Sequence, residues 1–358
     1  MTEYPKIKVA AAHVAPVFLD AAATVDKACS LISEAAGAGA KLLAFPESFI
    51  PAFPVWAALQ APIYGHEFFR ALAANALRID GPEIARLRAA ARRHGIVVSI
   101  GFTEGTRASV GCIWNSNALI GADGEILTHH RKLVPTFYEK LIWANGDGHG
   151  LRVADTPIGR IGALICGENT NPLARFALMA QGEQVHIASY PPVWPTRANL
   201  QGNYDLSHAI KIRAGAHSFE AKVFTIVASA VLDKSARAAL AGLPADAQRV
   251  LDETPCGVSL VVGPAGMPVT PVMCEDEGIL YADVDLAECV EPKQFHDVVG
   301  YYNRFDIFKL RVDRTRAAPA TFEERFDQEP QSDSDQRPQT DASTVLELDA
   351  RRGQANRS

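Results

Sequence analysis

LICGENTNPLARFALMAQGEQVHIASYPPVWP, residues 164–195, runs from a strand end through a helix into a second strand. The first strand starts upstream at Gly159, and its hydrophobic run stops at Cys166. Helical spacing follows over residues 173–181, and an apolar run returns over 184–189. Strands and helices mixed in this way fit an α/β domain with helices outside layered sheets. The stretch also poses a chemical question. A cysteine at a strand end is either a nucleophile or one more small buried residue, and free cysteines are among the most buried residue types.

The flanking sequence extends the pattern. KIKVAAAH at 6–13 reads as a buried strand. Residues 21–38 read as a helix with Val25, Ala28, Cys29, Ile32 and Ala36 at helical spacing, ended by Gly37 and Gly39. KLLAF at 41–45 is a second strand, closed by Pro46. A helix over 81–94 carries Ile84, Leu87 and Ala91 on one face, and a strand over 96–101 follows. Strands at 115–121 and 126–129 flank the turn Ala122-Asp123-Gly124-Glu125, a hairpin signal. Further on come a helix at 207–220 and strands at 223–229, 257–262 and 278–284. Residues 234–250 are Ala-rich and read as a surface helix or long loop. Periodicity leaves open whether one sheet or two stack inside.

A single domain is expected over residues 1–312, with a polar tail over 313–358. QEPQSDSDQRPQTD, within that tail, lacks the apolar surface needed to offset ordering entropy. The tail is expected to be disordered or loosely attached, with 344–348 as one short ordered piece.

Bulk properties exclude several function classes. The 358 residues are 48% hydrophobic and 21% charged, the composition of an ordinary globular protein. A net charge of -6 argues against nucleic acid or an anionic membrane as the main partner. No run approaches the ~18 apolar residues of a membrane span. MTEYPKIK, at the start, has no apolar core of signal-peptide type. The six cysteines, at 29, 112, 166, 256, 274 and 289, form no CxxC pair. That spacing suits free thiols in a cytoplasm better than disulfides or a metal site.

Three reactive side chains each follow a strand. Glu47 lies past KLLAF, Lys132 past ILTHH, and Cys166 ends IGALIC. In α/β sheets, residues just beyond strand ends gather at one rim, where sites form. Alone, each has a plain structural reading: a turn cap, a solvated basic run, a packing thiol. Together they define a chemistry. A thiolate is a nucleophile, a carboxylate can take its proton and later activate water, and an ammonium can stabilise a charged tetrahedral centre. Glu139 would hold Lys132 charged and oriented.

The chain resembles the nitrilase superfamily of carbon–nitrogen hydrolases, and within it the nitrilase branch. The matching segments are AFPESFIPAFPVW (44–56), HRKLVPTFYEKLIWANGDG (130–148), GALICGENTNPLARFALMAQGEQVHIASYPPVWP (162–195) and DVVGYYNRFDIF (297–308). The resemblance implies a four-layer α-β-β-α sandwich and a covalent thioimidate route from a nitrile to its acid and ammonia. It places the general base on Glu47, the lysine on Lys132, the nucleophile on Cys166 and the supporting carboxylate on Glu139. It implies no metal and no organic cofactor, and it implies a homo-oligomer, a dimer or larger spiral.

One residue departs from the branch pattern. The usual Cys-Trp-Glu is here Cys166-Gly167-Glu168. The backbone N–H that serves as oxyanion donor survives, while the absent indole is expected to leave space beside the nucleophile. Phe53, Trp56, Tyr190 and Trp194 flank the motifs and are candidates, with Gly167, for the substrate pocket; core packing is the alternative. Glu168, Asn169, His129, His130 and His186 read as structural, and Cys112, Cys256, Cys274 and Cys289 as inert packing. Alternative functions on the same residues are an amidase or carbamoyl-amide hydrolase, or an enzyme that releases the amide from a nitrile. A non-catalytic binding protein is the remaining class, disfavoured by the intact Glu, Lys, Cys and second Glu.

Overall fold

Alternation along β1 (Lys6–His13) builds two layers at once. Val9 and Ala11 point into one core, Ala10 and Ala12 into another, as the period of two requires. The computed structural model describes residues 4–197, 204–318 and 320. After β1 come α1 (Ala21–Gly37), β2 (Leu42–Ala44), α2 (His66–Ala74), α3 (Pro82–His94), β3 (Val97–Glu104), β4 (Trp114–Ile120) and β5 (Ile126–Arg131). The second half has β6 (Ala154–Thr156), β7 (Gly159–Ile165), α4 (Pro172–Met179), β8 (Val185–Tyr190), α5 (Leu206–Ala221) and β9 (Phe224–Ser229). It ends with α6 (Lys234–Ala239), α7 (Ala245–Glu253), β10 (Leu260–Val262) and β11 (Gly278–Asp285).

Two mixed sheets result, ordered β11-β1-β2-β3-β4-β5 and β10-β9-β8-β7-β6. Val9, Leu42, Ala44, Val97 and Leu119 of the first meet Ile161, Ala163, Val185, Ile187 and Ile226 of the second. On the outer face of the first sheet, Val25, Ala28 and Ile32 of α1 and Ile84, Leu87 and Ala91 of α3 cover Ala10, Leu43 and Val98. Leu206, Ile210 and Ala214 of α5 cover Ala188, Val227 and Leu260 of the second. This is the four-layer sandwich, and the second sheet that periodicity left open is resolved.

Local chemistry explains the boundaries. Asp20 caps α1 by accepting from the Ala23 N–H, and Pro82 occupies the first turn of α3. Gly95 closes α3 in the left-handed region at φ 60°. Residues 234–250 take the helical one of the two expected forms: they build α6 and most of α7, mostly exposed, with Ala236, Leu240, Leu243, Ala247 and Val250 buried. Helix α2 was missed by sequence reading, because only Leu72 of its nine residues is buried and the apolar stripe is short.

The described residues up to 317 form one compact unit. The start of the expected tail has contacts there: Arg316 donates to the His129 carbonyl at 3.2 Å. Beyond residue 320 the tail, with its 344–348 piece, lies outside the described residues. Among the described residues, no helix is long and apolar enough to cross a membrane.

The rim beside β5 is fastened by a buried carboxylate. Glu104, at the end of β3, accepts from Ser116 at 2.6 Å, His129 at 2.8 Å, and Arg131 Nε and Nη2 at 2.9 and 2.5 Å. Burial alone would raise its pKa; Arg131 and His129 outweigh that and hold it at about 2. A carboxyl depressed on folding adds stability above its ordinary range and loses it as the pH falls through the folded value. Glu104→Gln should therefore cost about 3 kcal/mol at neutral pH. The deficit should shrink as the pH falls from about 4.5 towards 2. Denaturant titrations of both proteins at the two pH values measure it.

Candidate active site

Three loops leave the C-terminal ends of β2, β5 and β7 and bring Glu47, Lys132 and Cys166 to one rim. All three are buried, with Glu47 and Lys132 each 1% exposed and Cys166 4%. Lys132 Nζ donates to Glu47 Oε1 at 2.7 Å and to Glu139 Oε2 at 2.5 Å. The Cys166 sulfur lies within 4.8 Å of a carboxylate oxygen of both glutamates. Lys132 does not sit in a solvated basic run. The structure thus brings together the four residues that the sequence singled out.

The local backbone is held in unusual conformations. Among the described residues, three of the five non-glycine residues with positive φ are Ser48 (45°), Phe137 (52°) and Cys166 (48°). Each lies in or beside one of the motifs, and such conformations persist only where the surroundings over-determine them. At Ser48 that support is its hydroxyl, bonded to the Ala52 carbonyl at 3.1 Å and to Thr103 Oγ1 at 2.9 Å.

Electrostatics follow from burial of four ionisable groups together. Burial would strip the Lys132 proton, but Glu139 and then Glu47 outweigh it and keep the ammonium charged. Burial raises Glu47 to about 7, with Lys132 pulling down and Glu139 pushing up. Burial, and next the Glu47 charge, push the Cys166 thiol well above its ordinary range. The resting thiol is therefore protonated, beside a carboxylate poised to exchange a proton near neutral pH. Glu47, Glu139 and Cys166 together have the donor set of a cation site, but the ammonium already lies between the two carboxylates.

Several residues that hold this set carry little sequence signal. Asn115 of β4 donates to Glu47 Oε1 at 2.7 Å. Glu168 accepts from the N–H groups of Ile165 at 2.8 Å and Leu133 at 2.6 Å, and from His130 Nε2 at 2.9 Å. One carboxylate thereby fastens the residue before Cys166 to the residue after Lys132. Burial opposes its charge, and His130 with the two N–H donors holds its pKa below the usual range.

The thiol shares a buried cluster with several aromatic residues. Phe53, Trp56, Tyr190 and Trp194, the sequence candidates, share one buried cluster with Cys166, Tyr138 and Trp143. Trp194 stacks on Tyr138 at 5.6 Å and donates to Glu139 Oε1 at 3.3 Å. Trp56 stacks on Phe68 of α2 at 5.0 Å. Tyr138 and Trp143, which sequence reading passed over, pack edge-on against Phe53 at 6.5 and 5.6 Å. Among the described residues Glu47 Oε2, the Tyr138 and Tyr190 hydroxyls and Trp143 Nε1 have no hydrogen-bond partner. Burial raises the pKa of both phenols, so they remain donors.

The family profile described as carbon-nitrogen hydrolase matches residues 8–294. The chain belongs to the carbon–nitrogen hydrolase family. An arylacetonitrilase of Hypocrea virens is 38% identical to this hydrolase over 316 residues, covering 86% of this chain and 91% of that protein. An aliphatic nitrilase of Rhodococcus rhodochrous is 35% identical over 322 residues, covering 89% and 86%. Among solved structures, a carbon–nitrogen hydrolase from Helicobacter pylori superposes with a TM-score of 0.63 at 20% identity, over 81% of this chain and 93% of that one. An amidase from Nesterenkonia sp. superposes with a TM-score of 0.57 at 20% identity, over 81% and 94%.

Gly167 differs from expectation. Sequence reading expects vacant space at this position. In this hydrolase a Cβ built on Gly167 would meet Thr136 Oγ1 at 2.6 Å, so the threonine stands where a side chain would begin. Gly167→Ala should destabilise the fold by about 1–2 kcal/mol through overpacking. Thr136→Ala added to it should recover most of that loss. A double-mutant cycle by denaturant unfolding reads the coupling, expected near 1 kcal/mol; strict additivity would acquit Thr136.

Proposed function

We propose that this carbon–nitrogen hydrolase is a nitrilase that converts an organic nitrile to its carboxylic acid and ammonia. The observation that carries the reading is the buried thiol of Cys166 beside the Glu47–Lys132–Glu139 set. Relatives named nitrilase or arylacetonitrilase, 34–38% identical over most of their length, support the nitrile as substrate.

Glu47 takes the thiol proton as the sulfur adds to the nitrile carbon, and the proton passes to nitrogen, leaving a thioimidate. Glu47 then takes a proton from water as its oxygen adds. Lys132 and the Gly167 N–H stabilise the charge on the tetrahedral centre. Nitrogen, protonated again, leaves as ammonia and a thioester remains. A second water releases the acid and restores the thiol. Loss of the thiol in place of ammonia from the same centre yields the amide. Glu139 keeps Lys132 charged and directed throughout. Phe53, Trp56, Tyr190, Trp194 and Gly167 form the pocket wall in this reading. Its aromatic surface fits arylaliphatic or aliphatic substituents.

The working form in this proposal is a cytoplasmic homo-oligomer. Exposed apolar side chains support association: Ile212 and Phe219 on α5, and Phe305, Ile307 and Phe308 downstream. Sedimentation should give a mass at least twice that of one chain, and a monomer would remove the proposal. Dispersed cysteines without a CxxC pair support the compartment. Recovery of the chain from the cytosolic fraction of its source cells tests it.

A panel of aliphatic, arylaliphatic and aromatic nitriles, with acid, amide and ammonia quantified, tests the reaction. Turnover of amides but not nitriles would assign the amidase class. Cys166→Ala should abolish turnover, and full activity in that variant would refute the nucleophile. Protonated Glu47 cannot accept the thiol proton, so kcat/KM should rise with pH through about 7 and then level.

A further inference from the structure

A buried polar chain runs from the outer face of the second sheet to the nucleophile turn. Glu183 Oε2 lies 2.7 Å from His217 Nε2, and Glu183 Oε1 lies 2.7 Å from His186 Nδ1. His186 Nε2 lies 2.8 Å from Asn169 Oδ1. Asn169 Nδ2 donates to the carbonyls of Cys166 at 3.1 Å and Leu164 at 3.3 Å. The four residues come from the 3₁₀ turn after β7, the turn before β8, β8 itself and α5. All four are buried, His186 and His217 fully.

Donor and acceptor roles along the chain are forced. Carbonyl oxygens only accept, so the Asn169 amide nitrogen must face Cys166 and its oxygen must face His186. His186 Nε2 is then a donor. The ionised Glu183 carboxylate accepts from His217 Nε2 and lies against His186 Nδ1. Burial opposes the charge on Glu183, and the two histidines outweigh it and hold the carboxyl at about 2. Burial lowers His217 to about 4, so that ring is neutral. A buried line connected at each link in this way is a rigid support.

Its end point matters for chemistry. The Cys166 carbonyl and the Gly167 N–H belong to one planar peptide. A donor that holds the carbonyl therefore sets the direction of the N–H on the opposite side. Cys166 has φ 48°, a conformation that needs outside support. We infer that Asn169, held by His186, Glu183 and His217, is a positioning residue that aims the Gly167 N–H at the charged intermediate and so sets the rate of the covalent steps. The inference rests on Cys166 being the nucleophile.

The test compares Asn169→Ala, His186→Leu and His186→Gln with the wild type on one accepted nitrile. Removing an oxyanion donor outright costs about 10²–10³ in kcat. Misaiming one should cost about 10–100-fold. Asn169→Ala and His186→Leu should lose that much in kcat per intact site, with KM changed less than about twofold. Glutamine at 186 can still donate to Asn169 Oδ1, so His186→Gln should recover most of the kcat lost in His186→Leu. Alkylation of Cys166 by iodoacetamide forms no oxyanion, and its rate should stay within about twofold of wild type. Unchanged kcat in Asn169→Ala and His186→Leu overturns the inference. So does a kcat loss matched by an equal loss in alkylation, which marks general damage to the site. If a histidine variant does not fold, Asn169→Ala with the alkylation control decides alone. Full turnover in Cys166→Ala would instead defeat the nucleophile assignment itself.

Discussion

One ammonium, withdrawn from water between two carboxylates, sets the terms for the rest of the rim. Lys132 bonds to Glu47 at 2.7 Å and Glu139 at 2.5 Å, with no exposure of the three side chains. Desolvating such ions costs several kcal/mol each, and only close pairing with further hydrogen bonds offsets it. Removing either partner would leave a buried charge uncompensated. The loops after β2 and β5 must therefore be held to a fraction of an ångström. Asn115 on Glu47 and Glu168 between Ile165 and Leu133 supply that restraint. At the ends of β3, β4 and β5, Glu104 does the same through Ser116, His129 and Arg131.

The surplus of negative charge in that set is what tunes it. Two carboxylates share one ammonium, so one of them is only weakly committed to ionisation. Glu47, pushed up to about 7, is that one. A thiol held above its ordinary range by burial is unreactive until its proton is taken. The arrangement couples thiolate formation to the presence of an electrophile. Strain at Ser48, Phe137 and Cys166 accompanies it, as the backbone bends to put three loops at one point.

Support for the Cys166 turn comes from outside the Glu47–Lys132–Glu139 set. His217 on α5 and His186 on β8 share Glu183, and the line continues through Asn169 to the Cys166 carbonyl. Helix packing on the second sheet and the aim of a backbone N–H are thereby parts of one construction. The aromatic wall has the same double character. Trp194 packs on Tyr138 and also donates to Glu139, so a residue of the aromatic cluster also orients the carboxylate that holds Lys132.

Sequence alone determined most of the strand and helix order, α2 and β6 excepted, since residues 6–13, 21–38, 81–94 and 159–190 have periodicities of two or 3.6 that survive in the fold. It also determined which residues merit attention: Glu47, Lys132, Glu139 and Cys166 lie in short motifs whose side-chain types declare their chemistry. It read His186, Asn169 and Glu168 as structural without their partners, and passed over Asn115, Tyr138 and Trp143. Their roles depend on partners between 3 and 90 positions away in the chain, and periodicity records only local order. Residues 234–250 left a helix and a loop open for the same reason, and only the fold shows two surface helices with one face of each buried. Gly167 is the sharpest case. The missing side chain suggested vacant space, but only the folded chain brings Thr136 to 2.6 Å from where that side chain would begin. Composition and spacing specify which groups a chain possesses; the tertiary structure decided which of them meet, because burial and hydrogen bonding are set by neighbours distant in sequence.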